Sequence, residues 1–124
     1  MPAPKLLTTA EIGSYGERVA AAFLRQQGYR VLYRNYRTTR GEIDLIGRAG
    51  ELLVFVEVRT RSSENFGRPA ETINAAKKEA LRFAASRYLG LLGREDVLYR
   101  FDAVEVMLNT GQVPVCTLQP DLFS

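Results

Sequence analysis

The sequence predicts one α/β domain whose elements run helix, three strands, helix, two strands. Two observations carry this reading. Apolar residues recur at helical spacing in two segments, each closed by a glycine, and short runs rich in β-branched and aromatic residues lie between and after them. The chain is 124 residues long with 46% hydrophobic content, enough for one sizeable core. The domain is expected to span residues 1–124, with its core at about 10–108.

The first helix is expected over Glu11–Gln27, where Ile12, Tyr15, Val19, Phe23 and Leu24 form an apolar stripe and Gly28 supplies the stop. A strand follows near Tyr29–Thr38. Next comes a hairpin of two hydrophobic strands, Gly41–Ile46 and Leu53–Arg59, with Ala49-Gly50 expected at the centre of its turn. A polar loop runs from Arg61 to Arg68. The second helix is expected over Ala70–Leu89, with Ile73, Ala76, Ala80, Ala84 and Tyr88 as its buried stripe and Gly90 as its end. Strands at Val97–Leu108 and Val113–Leu118 flank a turn at Asn109-Thr110-Gly111.

The hairpin is chemically the most informative segment. It places Asp44 and Glu57 inside β-sequence otherwise made of Ile43, Leu45, Ile46, Val54, Phe55, Val56 and Val58. A carboxylate in such a setting is costly unless it is paired or binds a metal. The expected register sets Arg48 against Glu51, Asp44 against Phe55 and Glu57 against Glu42. Asp44 and Glu57 then become diagonal neighbours on one face, roughly 7–8 Å apart at the backbone. Two carboxylates so placed can hold one hard divalent cation. Glu42 opposite Glu57 is a like-charge pair that a cation relieves.

Each helix holds one charge that its pattern does not explain. Glu17 falls at the edge of the first apolar stripe among Gly13, Gly16, Ala20 and Ala21, with no cation three or four residues away. It reads as a border glutamate or as a third carboxylate beside Asp44 and Glu57. Lys77 lies within the second stripe, either snorkelling to water or aiming its ammonium at the acids.

Composition narrows the chemistry further. The chain has no histidine, which excludes Ser-His-Asp triads, His-ligated zinc and a histidine base. Hydrolysis, if present, must use carboxylates, lysine and metal-bound water. The single Cys116 excludes an intramolecular disulfide and makes the reducing cytoplasm the expected compartment. The start of the chain has no signal-peptide pattern, and no apolar run reaches membrane-spanning length. A net charge of +3 and a pI near 9.2 suggest an anionic partner. Arg25–Arg61 carries eight arginines against four acids, and Tyr29–Arg37 interleaves arginine with tyrosine. That pattern suits phosphate contacts and base stacking, and equally suits an exposed strand with aromatic pairs. Arg34, Arg37, Arg40 and Arg61 are the candidate nucleic-acid contacts.

Gly41-Glu-Ile-Asp-Leu-Ile, Val54-Phe-Val-Glu-Val-Arg-Thr-Arg61, Phe66-Gly-Arg-Pro-Ala-Glu71 and Arg100-Phe-Asp-Ala-Val104 resemble the YraN-like family of small bacterial proteins. That family is similar to the restriction-endonuclease-like superfamily, which includes archaeal Holliday-junction resolvases. The resemblance covers roughly Tyr15 to Val106. It implies a restriction-endonuclease-like α/β fold, a mixed central sheet with a helix on each side. It also implies Mg²⁺- or Mn²⁺-dependent hydrolysis of DNA, branched or damaged DNA included, with Glu17, Asp44 and Glu57 as metal-site acids and the Val58 carbonyl as a further ligand. DNA is the expected partner ahead of RNA, no membrane partner is expected, and a homodimer is implied by resolvase-like relatives. The chain departs from the superfamily pattern at Arg59, where those nucleases usually carry lysine. Arginine stays protonated and can stabilise charge without acting as a base. Lys77 is the alternative candidate for that role. Catalytic roles are therefore expected of Glu17, Asp44, Glu57, Arg59 and Lys77. A nucleic-acid-binding module with a degenerate site, and an interaction subunit with structural acids, are the other readings.

Overall fold

The structure, a computed structural model, describes residues 8–62, 74–109 and 111–123. Its elements are α1 (Thr9–Gln26), β1 (Arg30–Arg37), β2 (Glu42–Ala49), β3 (Leu52–Ser62), α2 (Ala75–Leu92), β4 (Leu98–Leu108) and β5 (Val115–Gln119). The strands form one mixed sheet in the order β1-β2-β3-β4-β5, with β3 and β4 parallel and the other pairs antiparallel. Parallel neighbours need a long crossover, and α2 lies within the one that joins β3 to β4. This is the restriction-endonuclease-like arrangement that the sequence predicts.

α1 begins with a reciprocal capping box: Thr8 Oγ1 accepts from Glu11 N–H at 3.1 Å, and Thr8 N–H donates to Glu11 Oε1 at 3.0 Å. It covers one sheet face, burying Tyr15, Ala20, Ala21 and Leu24 against Leu45, Val54, Val56, Val104 and Val106. α2 covers the other face, where Leu81, Ala84 and Ala85 meet Ile43, Ile46, Leu53, Phe55 and Phe101. Alternation along β3 therefore assigns Leu53 and Phe55 to the α2 face, and Val54 and Val56 to the α1 face.

Helix boundaries and stripes shift from expectation. α2 continues through Gly90 to Leu92 and stops at Gly93, whose φ of 65° is the left-handed geometry a helix end prefers. Asn74 caps its start, its Oδ1 accepting from Lys77 N–H at 2.8 Å. The stripe rotates to Leu81, Ala84 and Ala85, with Ala80 and Tyr88 half-buried and Ala76 exposed. Most of the expected Arg61–Arg68 loop, the Phe66–Glu71 stretch, Ile73 and Thr110 lie outside the described residues. On α1, Ile12 is exposed and Gly16 buried instead.

Two glycines set how closely the helices approach the site. A Cβ at Gly16 would overlap the Thr60 side chain of β3, and one at Gly41 would overlap the Ala80 carbonyl of α2. Only glycine leaves space for backbone to come this near. On β4, Asp102 is fully buried and held by a two-pronged bond from Arg100, at 2.7 and 2.9 Å. Asp102 also accepts Asp121 N–H at 2.9 Å, tying the chain end to β4. Among the described residues no helix is long and apolar enough to cross a membrane.

Candidate functional site

The hairpin turn decides how the acids meet. Gly50, with φ 61°, and Glu51 occupy the two turn positions, so the strands close on Ala49 opposite Leu52. Ile46 pairs with Phe55 and Leu45 with Val56. The expected register, Asp44 against Phe55 and Glu57 against Glu42, is therefore wrong by two residues. A shift of two does not by itself change the face a side chain takes, whereas a shift of one would have reversed them all. Continued by one residue, the observed register sets Asp44 level with Glu57 rather than diagonal to it. Glu42 does not face Glu57: it is exposed and pairs across the β1–β2 ladder with Arg37, at 3.4 Å.

The β2–β3 ladder ends at Leu45 and Val56. Beyond it, Val58 N–H donates to Asp44 Oδ2 at 2.8 Å, so a side chain satisfies a backbone donor where the strands separate. Ile43 lies in the α2-side core and Leu45 in the α1-side core, which leaves the Asp44 side chain between the two faces.

Glu57, Arg59 and Arg61 follow Phe55 at alternate positions and so occupy the α2 face of β3. Glu57 is 7% exposed. Its Oε1 is 2.8 Å from Lys77 Nζ, and its Oε2 is 3.6 Å from Arg59 Nε. Arg61 turns instead to Glu105 of β4, at 3.5 Å, and its buried Nε lacks a hydrogen-bond partner. The anomalous lysine of the second helix is thus an ion-pair partner of the β3 acid, with half its side chain still exposed.

Electrostatics tie these groups into one unit. The Asp44 carboxyl is pushed up to about 6, chiefly by burial. The Val58 N–H bond works against that rise, the Glu17 and Glu57 charges add to it, and Lys77 opposes it. Glu17, half-buried on α1, therefore acts on Asp44 from one side of the sheet while Glu57 and Lys77 act from the other. The Lys77 ammonium is held above its usual range, first by its hydrogen bond to Glu57; burial opposes this, and the Glu57, Asp44 and Glu42 charges reinforce it. A lysine so held keeps its proton, which suits it to neutralise charge rather than accept a proton.

Carboxylate oxygens are the donors a hard cation takes. As the side chains stand, however, no group of three or more acidic or cysteine side chains is gathered closely enough to hold an ion among the described residues. Lys77 takes one Glu57 oxygen and Val58 N–H takes one Asp44 oxygen. Burial is the main cause of the raised Asp44 carboxyl, and the Glu17 and Glu57 charges add to it.

The expected nucleic-acid arginines do not form one row. Arg34, Arg37 and Arg40 are exposed around β1 and the turn after it, Arg37 on Glu42 and Arg40 5.2 Å from the Phe83 ring. Arg61 is largely enclosed. Tyr36 sits between Tyr33 and Tyr88 in edge-on contacts, so the interleaved aromatics partly serve packing. Asn35 and Asp102 carry no role in the sequence pattern. Buried Asp102 lay in a quoted motif without a role, and Asn35 was visible only as an asparagine inside a strand.

The model of the uncharacterised protein family UPF0102 matches residues 16–106. A UPF0102 protein of Moorella thermoacetica is 48% identical over 103 residues, covering 83% of this chain and 86% of its own. One from Symbiobacterium thermophilum is 50% identical over 95 residues, 77% and 80% of the two chains. One from Hahella chejuensis is 42% identical over 126 residues, 100% and 98%. The matched span runs from Gly16 in α1 to Val106 in β4 and takes in every residue of the acidic site, and on this evidence the chain belongs to the UPF0102 family.

Proposed function

We propose that this protein is a metal-dependent nuclease that hydrolyses DNA phosphodiester bonds, with branched or damaged DNA as the substrate class. The observation that supports the reading is geometric: Asp44 of β2 accepts Val58 N–H of β3 at 2.8 Å, next to the buried Glu57, which Lys77 of α2 meets at 2.8 Å, and the Glu17 and Glu57 charges both raise the Asp44 carboxyl. Asp44 and Glu57 would hold Mg²⁺ or Mn²⁺, with Glu17 bound directly or through water and the Val58 carbonyl as a further donor. Such an ion, when bound, polarises a phosphate and lowers the pKa of a water. The protein's own cations do the rest. Lys77, half exposed beside Glu57, would be free to turn its ammonium to the phosphate once Glu57 held a metal. Arg59, enclosed at 3.6 Å from Glu57, supplies fixed positive charge toward the developing oxyanion. Arg34, Arg37 and Arg40 track the DNA backbone. β5 is a sheet edge through which a homodimer would extend the sheet.

One observation favours a second reading, a DNA-binding module without catalysis. Each Glu57 oxygen already has a cation against it, and neither Arg59 nor a firmly protonated Lys77 is a base.

Melting with and without Mn²⁺, together with cleavage of branched and single-stranded DNA, tests both. The nuclease reading expects Mn²⁺ to raise the melting temperature of the wild type but not of Asp44→Asn/Glu57→Gln. It also expects weak wild-type cleavage that Arg59→Lys accelerates. Equal metal shifts in both proteins eliminate the metal site. Binding without any cleavage, in wild type and Arg59→Lys alike, leaves the binding module.

A further inference from the structure

The acid at the centre of this site is aimed by the backbone around it. The β1–β2 ladder pairs Arg34 with Leu45 and Tyr36 with Ile43, and skips the residues between them, Asn35 and Asp44. Asn35 has φ 56°, in the left-handed region, although it lies inside β1 and not at a turn. Non-glycine residues rarely adopt that conformation, and asparagine is among the few that tolerate it.

Side-chain alternation slips on both strands at this level. Tyr33 and Tyr36, three residues apart, have ring centroids 5.4 Å apart and so share a face. Ile43 and Ile46, also three apart, both belong to the α2-side core. In a regular strand, residues three apart point to opposite faces. The slip leaves Asp44 on neither face, where its carboxylate reaches Val58 N–H.

We infer that Asn35 is a positioning residue for the acidic site: its left-handed backbone sets the half-turn in the β1–β2 pair that leaves Asp44 in the plane of the sheet, between Glu17 and Glu57. The consequence for metal rests on the nuclease reading above; the geometry does not. The constraint is steric. With residue 35 extended, Arg34–Tyr36 would alternate regularly, and β2 could keep both flanking pairs only by doing the same. Asp44 would then swing to the α2 face, Ile43 would leave its core, and Val58 N–H would lose its acceptor.

Asn35→Gly and Asn35→Ala test this as a pair. Both remove the side chain, but only glycine enters the left-handed region freely. Amide hydrogen exchange at Val58 is the readout, with Val104 and Val106 of β4 as controls for the rest of the sheet. In Asn35→Gly, Val58 should exchange within about twofold of wild type, and in Asn35→Ala about five- to tenfold faster with the controls unchanged. Equal exchange in the two variants overturns the proposal, because a role of the side chain alone would move both alike. Should Asn35→Ala not fold, Asn35→Asp against Asn35→Ser gives the same contrast: protection kept only by aspartate supports the proposal, and equal protection overturns it. Mn²⁺ broadening of the Val58 amide separates the two claims. It should need several-fold more Mn²⁺ in Asn35→Ala than in Asn35→Gly; no broadening in the wild type sinks the metal reading alone, and the exchange comparison still decides Asn35.

Discussion

Asp44→Asn should stabilise the metal-free protein at neutral pH, and the gain should vanish in acid. The folded chain holds the Asp44 carboxyl at about 6, against an unfolded value of about 3.9. Well below pH ~4 the group is protonated in both states and costs nothing. As pH rises from about 4 through 6, the unfolded chain gives up its proton more readily, and the wild type loses stability that the amide does not. A gap of that size corresponds to about 3 kcal/mol at pH 7 as a ceiling, and water reaching the carboxylate lowers the expected gain to ~1–3 kcal/mol. The amide oxygen can still accept Val58 N–H, so the perturbation is nearly pure charge. Urea unfolding followed by circular dichroism in EDTA, at pH 4.0 and 7.5, measures it, and the difference between the two proteins cancels other titrating groups. Asp44→Asn no more stable than wild type at pH 7.5, or equally more stable at both pH values, would mean that the Asp44 charge carries no folding penalty. Glu57→Gln should behave oppositely, losing ~1–3 kcal/mol, because it leaves Lys77 and Arg59 without their anion.

Other substitutions probe the neighbouring links. Lys77→Met should cost no more than ~1 kcal/mol, since half its side chain is exposed, yet bind Mn²⁺ several-fold more tightly by calorimetry once nothing competes for Glu57. Charge reversal at both Arg34 and Arg37 should weaken DNA binding and lower the slope of log K against log salt by about 2; an unchanged slope places the DNA surface elsewhere. Gly41→Ala should destabilise by ~1–3 kcal/mol in urea unfolding, because the new methyl meets the Ala80 carbonyl.

Much of this protein is legible in its sequence because the signals are local. Helical spacing and strand composition depend on residues a few positions apart, so the order of seven elements follows without tertiary information. The same locality put Asp44 and Glu57 on neighbouring strands. The register escaped because it depends on which residues take the turn: Gly50-Glu51, rather than Ala49-Gly50, moves every pairing by two. Glu42 then meets Arg37 of β1, a partner that no hairpin rule identifies. Lys77 showed itself as a charge out of pattern, but its partner lies twenty residues earlier on another element, and only the packing of α2 on the sheet brings Nζ to Glu57. The left-handed backbone of Asn35 was the least visible, since one residue's φ inside a strand answers to pairing on both of its sides. The residue types alone say which chemistry the chain can support: carboxylates, arginines and a few lysines, with no histidine. Tertiary structure decided which of those groups face one another, because charges act over ångströms and the chain's own spacing says nothing about distance across a sheet.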